Sequence, residues 1–139
     1  MRMNRFRGYM LGQGLLTVIV MVIFRSVSDR QVAGIIAGLL FLLAPSIVIW
    51  NEYRMGTWKK QASFWGSLCF LVFSALPIFI LRVTNYGQPF EELSVLGVTG
   101  PMLHKFSNYF FIVLLLGFFI DSFSEKKKEL KTQMKKGED

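Results

Sequence analysis

The sequence predicts an all-α fold, a polytopic membrane protein with four transmembrane helices, and three observations carry this prediction. Apolar residues make up 53% of the 139 residues. The chain contains four apolar blocks, and of its 16 basic and 9 acidic residues only Asp121 lies inside one of them. A chain of this length has no core large enough to bury such blocks, so hydrocarbon is their expected surrounding. The predicted spans are residues 9–24, 32–50, 62–81 and 106–123.

The first block is the shortest of the four, and Arg5 and Arg7 precede it. A cleaved secretory signal peptide is the alternative interpretation, because basic residues also precede the apolar core of such peptides. This run is longer than most of those cores, and residues 26–28 form a poor cleavage site, so we expect a membrane span. Within it Gln13 is a candidate polar site, because its amide can hydrogen-bond a neighbouring helix.

Small residues in the second and third blocks predict where helices pack, because close backbone approach favours helix association in lipid. The six helix-packing residues, three from each block, are Gly34, Gly38, Pro45, Ser63, Ser67 and Ser74. We expect the two stripes to meet and Pro45 to kink its helix. The alternative is that two proline-interrupted helices line a polar cavity, as in transporters. Such cavities usually hold a charged residue, and neither block contains one.

The loop of residues 82–105 is longer than a turn between two spans requires. Within it we predict one short interfacial helix over residues 89–97, because proline begins this segment, acids follow and glycine ends it. Phe90, Leu93 and Leu96 would then share an apolar face that covers the outer end of the bundle.

Polar residues in and after this loop form a candidate site on the outer face. They are Glu91, Glu92, His104 and Asn108. Carboxylates and an imidazole can move protons, so a membrane enzyme acting on a lipid or envelope substrate is one function that they allow. The structural alternative is a solvated acidic turn beside an interfacial histidine.

Asp121, close to the end of the fourth block, is the remaining candidate polar site. A charge costs little there because it lies near the membrane surface. We expect its carboxylate to pair with Arg54, Lys59 or Lys60 of the loop between the second and third spans. In a symmetric oligomer built around the fourth span, Asp121 would instead form an acidic ring that favours cations.

The distribution of basic residues predicts the orientation. Twelve of the 16 Lys and Arg residues lie in the N-terminus, the loop between the second and third spans and the C-terminal tail. The positive-inside rule therefore places both termini in the cytoplasm. We expect a four-helix transmembrane domain over residues 1–123 and a basic cytoplasmic tail over residues 124–139, in a bacterial cytoplasmic (inner) membrane whose anionic head groups bind the basic residues. Nucleic acid is not an expected partner, because no aromatic residues are interleaved with the basic tail.

One cysteine and one histidine are too few for a disulfide framework or for a zinc or haem site. We find no sequence motif typical of a hydrolase, a metalloprotease or a nucleotide-binding enzyme. We therefore expect no catalytic residue, metal or cofactor. The expected function is that of a non-enzymatic accessory or structural subunit, which contacts another membrane protein or a second copy through its helices. An oligomeric pore or small transporter and the outer-face enzyme are the alternatives.

Overall fold

A computed structural model describes residues 5–136, and the side chains of residues 5–134. The described α-helices are α1 (Arg5–Ser26), α2 (Arg30–Arg54), α3 (Ala62–Phe70), α4 (Leu76–Thr84) and α5 (Gly100–Lys136). The shorter elements are 3₁₀ turns at Trp58–Lys60 and Phe90–Glu92, a π-helical turn at Leu71–Ala75, and an antiparallel hairpin of β1 (Ser94–Val95) and β2 (Val98–Thr99).

Four helices are long and apolar enough to span a membrane, which confirms the prediction of an all-α chain with four such segments. They are Arg5–Ser26, Arg30–Arg54, Ala62–Thr84, which joins α3 to α4, and Gly100–Met134. Each is longer than the corresponding apolar block because flanking polar residues continue the helix. The predicted tail is helical as far as Lys136, and the remainder of the tail and Arg2 lie outside the described residues.

The four segments form an antiparallel bundle. Each packs beside its neighbours in the chain, and α5 closes the bundle against α1. The start of α1 and the end of α2 therefore lie at one end, here called the Glu52 end, and β1 and β2 lie at the other, the hairpin end. The core residues are Val48, Phe70, Ala75, Leu114 and Phe118.

The second segment begins after a capping residue and continues past its proline. Asp29 caps α2, and its Oδ1 accepts hydrogen bonds from the backbone N–H groups of Gln31 at 2.8 Å and Val32 at 3.3 Å. Pro45 is buried inside α2, which continues as far as Arg54.

The third segment changes its helical pitch before its proline. The π-helical turn Leu71–Ala75 lies between α3 and α4, and Pro77 is in the first turn of α4. Proline has no N–H to donate, and its ring crowds the carbonyl four residues earlier. A wider turn before Pro77 relieves this conflict and lets the segment continue to Thr84.

The prediction that the glycine and serine stripes meet is wrong, because the glycine stripe packs against α4. A Cβ atom on Gly34 would lie 2.8 Å from Cζ of Arg82, and one on Gly38 would lie 2.9 Å from Cδ2 of Phe79. These glycines therefore make room for two large side chains of the third segment.

The serine stripe faces α5 instead. The hydroxyl of Ser74 lies 2.6 Å from that of Ser107, and a Cβ on Gly66 would lie 3.3 Å from Cα of Leu114. The small residues of α3 thus let α5 approach closely. Spacing along each helix predicted which residues share a face, but not which helix that face meets.

The prediction of one helix over residues 89–97 is also wrong. After the 3₁₀ turn, Ser94 pairs with Thr99 and Val95 pairs with Val98. Leu96 and Gly97 connect the strands with φ angles of 51° and 81°, as in a type I′ turn. The glycine expected to end a helix is therefore a hairpin glycine. Leu93 is buried whereas Leu96 is 99% exposed, so the expected apolar face does not form.

The loop before the hairpin is tied to the start of α2. The side-chain amide of Gln31 donates to the carbonyl of Gln88 at 2.9 Å and accepts from the backbone N–H of Gly87 at 2.8 Å. The guanidinium of Arg82 lies 4.1 Å from the centre of the Phe90 ring. These contacts attach the loop to the second and third segments.

Candidate functional site

A buried carboxylate lies at the Glu52 end of the bundle. The Glu52 side chain is fully buried, and Arg5 Nη2 lies 3.4 Å from its Oε2. Thr57 Oγ1 donates to Oε2 at 2.8 Å, and the Tyr9 hydroxyl donates to Oε1 at 3.3 Å. Both carboxylate oxygens therefore have donors, which a charge removed from water requires.

Glu52 is not among the sequence-predicted site residues, because it follows the apolar block of residues 32–50. The helical periodicity of α2 nevertheless indicates that Glu52 is buried. Pro45, Val48 and Glu52 are all buried and lie three and four residues apart, on one face of α2. Extending the inward face by one turn beyond the apolar block would have placed Glu52 inside the bundle.

Asp121 is buried as well, but the prediction of its partners is wrong. Its Oδ1 accepts from the backbone N–H of Ala62 at 3.1 Å, and its Oδ2 accepts from that of Ser63 at 2.7 Å. These groups belong to the first turn of α3, where the helix dipole favours an anion. The carboxylate is thus paired with a helix N-terminus, whereas we expected Arg54, Lys59 or Lys60.

Gly117, one turn before Asp121, allows this arrangement. A Cβ atom there would lie 2.9 Å from the carbonyl oxygen of Ala62 and 3.2 Å from Cα of Ser63. A larger residue would push α5 away from the start of α3. The glycine and the aspartate therefore act together to seat one helix against the other.

Gln61 connects the two carboxylates. With its amide nitrogen facing Asp121, it donates to Asp121 Oδ2 at 3.1 Å, and its oxygen then accepts from Arg5 Nη2 at 3.0 Å. Side chains of the first, second and fourth segments and of the loop before α3 form one polar network, which Asp121 joins to the backbone at the start of α3. We call it the Glu52 cluster, and it consists of Arg5, Tyr9, Glu52, Thr57, Gln61 and Asp121.

A cavity of about 460 Å³ opens beside the Glu52 cluster. It is lined by Arg5, Tyr9, Asn51, Arg54 and Met55. Arg5 Nη1 lies 3.1 Å from the Met55 sulfur, and the Arg5 side chain is 30% exposed. The cavity is therefore polar, basic and open to the surroundings at the end of the bundle.

Gln13 is buried inside the bundle, at 3% exposure, and its Oε1 has no hydrogen-bond partner among the described residues. The hydroxyls of Ser63 and Ser67 are also buried, and neither has a partner within the described part of the chain. These groups add polarity to the interior, but they are not joined to the Glu52 cluster by any hydrogen bond that we observe between described residues.

The outer candidate residues do not form a site in the described structure. Glu91, Glu92, His104 and Asn108 are all exposed. Within residues 5–134 no hydrogen bond or ion pair joins any two of them, and no group of three or more His, Cys, Asp or Glu side chains is placed to hold a metal ion. Their arrangement is that of a solvated turn and a separate helix end.

An apolar groove of about 630 Å³ runs between α1 and α5 on the surface of the bundle. Its walls include Leu11, Gly14, Ile112, Leu116 and Phe119. Cβ atoms added at Gly12 and Gly14 would meet no described atom within 4 Å. These two glycines thus differ from Gly34, Gly38, Gly66 and Gly117, which neighbouring segments approach closely.

Comparisons with known proteins add no relative. No protein-family model matches the chain, and neither the curated proteins nor the solved structures contain a match. The features of the chain that bear on function are the Glu52 cluster, the cavity beside it and the apolar groove.

Proposed function

We propose that this chain is a multi-pass protein of a bacterial cytoplasmic membrane, with both termini in the cytoplasm, and that it acts as a non-enzymatic accessory subunit. Its α1/α5 groove binds a transmembrane helix of another membrane protein. The observation that carries this proposal is the open apolar groove with Gly14 in its wall.

Glycines in membrane helices serve close helix approach, because hydrocarbon gives no other drive for helices to associate. Gly66 and Gly117 have that role already, because an added Cβ atom at either would lie against the backbone of a neighbouring segment. Gly14 lies in the groove wall on α1, where an added Cβ atom would meet no described atom within 4 Å, and glycine destabilises a helix relative to alanine. A helix from another chain, bound in the groove, gives Gly14 the same role.

Charge favours a different protein over a second copy as the occupant. Arg7 lies one turn before Leu11, and Lys126 lies two turns after Phe119, so basic residues continue both walls at the Glu52 end. Both side chains are exposed. A two-fold axis along the bundle would bring these cations of two copies together, whereas a partner helix with acidic residues at that end would complement them.

The Glu52 cluster supports a structural role over a pore. Asp121 is 5% exposed, and both of its oxygens accept hydrogen bonds within the bundle. A carboxylate held in this way does not face a central axis shared by several copies, as an acidic ring would require.

Photocrosslinking in intact cells tests the proposal. Photoreactive residues replace Leu11 or Leu116 in the groove, or Leu43 or Ile47 on the exposed face of α2 as controls. We expect the groove positions alone to crosslink one membrane protein, through a peptide from a transmembrane segment. Gly14→Leu fills the groove and should reduce the product about tenfold, which corresponds to 1.4 kcal/mol, whereas Ser46→Leu on α2 should not.

Two outcomes would contradict the proposal. Crosslinks only to lipid or to a second copy would show that the groove does not bind a helix of another membrane protein. Purified protein that alone moves ions or a solute across liposomes would favour the transporter instead.

A further inference from the structure

We infer that the cavity lined by Arg5 and Arg54 is a binding site for the phosphate of an anionic lipid head group. The inference rests on the membrane location proposed above but not on the partner helix. It concerns a ligand at the end of the bundle, whereas the groove lies along the apolar part of α1 and α5.

The cavity contains a cation that is held in place before any ligand arrives. Arg5 is fixed by Glu52, by Met55 and by the amide oxygen of Gln61. Its Nε is buried and has no acceptor among the described residues. A guanidinium already ordered by its neighbours loses little conformational freedom when it binds a phosphate.

The second cation in the cavity is not neutralised. Arg54 is exposed and has no ion pair with any described carboxylate. Glu52 balances Arg5, and the first turn of α3 accommodates Asp121, so the charge of Arg54 remains uncompensated. The Asn51 side chain adds an amide that can donate to a phosphate oxygen. The cavity thus combines a net positive charge with several hydrogen-bond donors.

The position of the cavity favours a lipid as the source of the phosphate. It lies at the end of a spanning segment, and Trp50 and Tyr53 beside it on α2 are each 62% exposed. Exposed Trp and Tyr at the end of an apolar helix are typical of the head-group layer. Basic pockets between helices at this depth suit lipid phosphates.

Native mass spectrometry of the full chain in a neutral detergent tests the inference. Phosphatidylglycerol is titrated against phosphatidylcholine with the same acyl chains. We expect one phosphatidylglycerol to bind per chain with about fivefold preference or more, the contribution of roughly one basic residue near an anionic head group.

Arg54→Gln is the informative variant, because Arg54 is exposed and its loss leaves the Glu52 cluster intact. We expect it to weaken phosphatidylglycerol binding by about fivefold. Arg7→Gln is the matched control, since it removes one exposed charge from the same end but does not line the cavity. It should change binding by less than about twofold.

Three results would overturn the inference. Equal binding of phosphatidylglycerol and phosphatidylcholine would show that the cavity does not prefer an anionic head group. Equal losses of phosphatidylglycerol binding in Arg54→Gln and Arg7→Gln would show diffuse attraction to basic residues and no specific site. Displacement of the lipid by excess inorganic phosphate would show a site for a free anion.

Discussion

Asp121 of α5 accepts a hydrogen bond from the backbone N–H of Ser63 at 2.7 Å. A carboxylate from the fourth segment therefore caps α3, the helix that begins the third segment. The second oxygen accepts from Ala62, which leaves two N–H groups of that turn satisfied by a residue 58 and 59 positions away. Helix caps are usually local, whereas this one joins two distant parts of the chain. It is therefore a tertiary contact as well as a helix terminus.

Replacing Asp121 should unseat the start of α3. Asp121→Ala leaves two buried N–H groups without acceptors, and we expect a loss of about 2–3 kcal/mol in the free energy of unfolding. Asp121→Asn retains one acceptor oxygen and should lose about half as much. Unfolding in mixed micelles measures both, with the exposed Ser124→Ala as control. An unchanged stability in Asp121→Ala would contradict the role assigned to the carboxylate.

Removing the cation of the Glu52 cluster should cost more than removing a nearby exposed one. Arg5→Gln leaves the buried Glu52 without its ion pair, and we expect a loss of about 2–3 kcal/mol in stability. Arg7→Gln should cost less than about 0.5 kcal/mol, since Arg7 is exposed.

The double variant Arg5→Gln/Glu52→Gln measures the interaction energy between Arg5 and Glu52. We expect it to be about 1 kcal/mol more stable than the sum of the two single losses predicts, because neither charge is then left alone. Additive losses in the same micelle assay would show that Arg5 and Glu52 do not interact energetically.

A series of Gly→Ala variants should rank the close contacts of the bundle. Gly117→Ala places a methyl group against the backbone of Ala62, which cannot move without shifting a helix, so we expect a loss of about 1–3 kcal/mol. Gly34→Ala meets only the end of the flexible Arg82 side chain and should cost less than about 1 kcal/mol.

Gly14→Ala is the control for this series, because its Cβ would meet no described atom within 4 Å. It should stabilise the isolated protein by up to about 1 kcal/mol through helix propensity alone. Thermal unfolding in detergent measures all three variants. If Gly34→Ala were the most damaging of them, the packing described here would be incorrect.

The hairpin should be stabilised by a change at its tip. Leu96 has a φ of 51° and is 99% exposed, so it is strained and loses no packing when it is replaced. Leu96→Asn creates the Asn-Gly pair that type I′ turns favour, and we expect a gain of about 0.5–1 kcal/mol in hairpin stability. Hydrogen exchange at residues 94–99 measures it.

The exposed Ser94→Asn is the control for Leu96→Asn, since Ser94 lies in β1 and not in the turn. It should give no gain. Faster exchange in Leu96→Asn than in the unchanged protein would mean that Leu96 contributes a contact at the tip.

Hydropathy and local signals were sufficient for much of the fold. Four apolar blocks predicted four apolar helices, and α2 begins one residue after Asp29, a typical capping residue. Local signals were insufficient in the loop, because proline, acids and glycine in that order suit a 3₁₀ turn and a hairpin as well as a short helix. The inward turn that contains Glu52 was available from periodicity, once the helix was continued beyond its apolar block.

The sequence by itself determined how many apolar helices form and which residues share a face of each, because hydropathy and helical spacing are properties of consecutive residues. Only the tertiary structure decided that Gly34 receives Arg82, that Asp121 caps α3, and that Gly12 and Gly14 remain open. These relationships depend on which helix lies beside which, and at what depth. No pattern within a single segment contains that information, since each helix face can be satisfied by more than one neighbour.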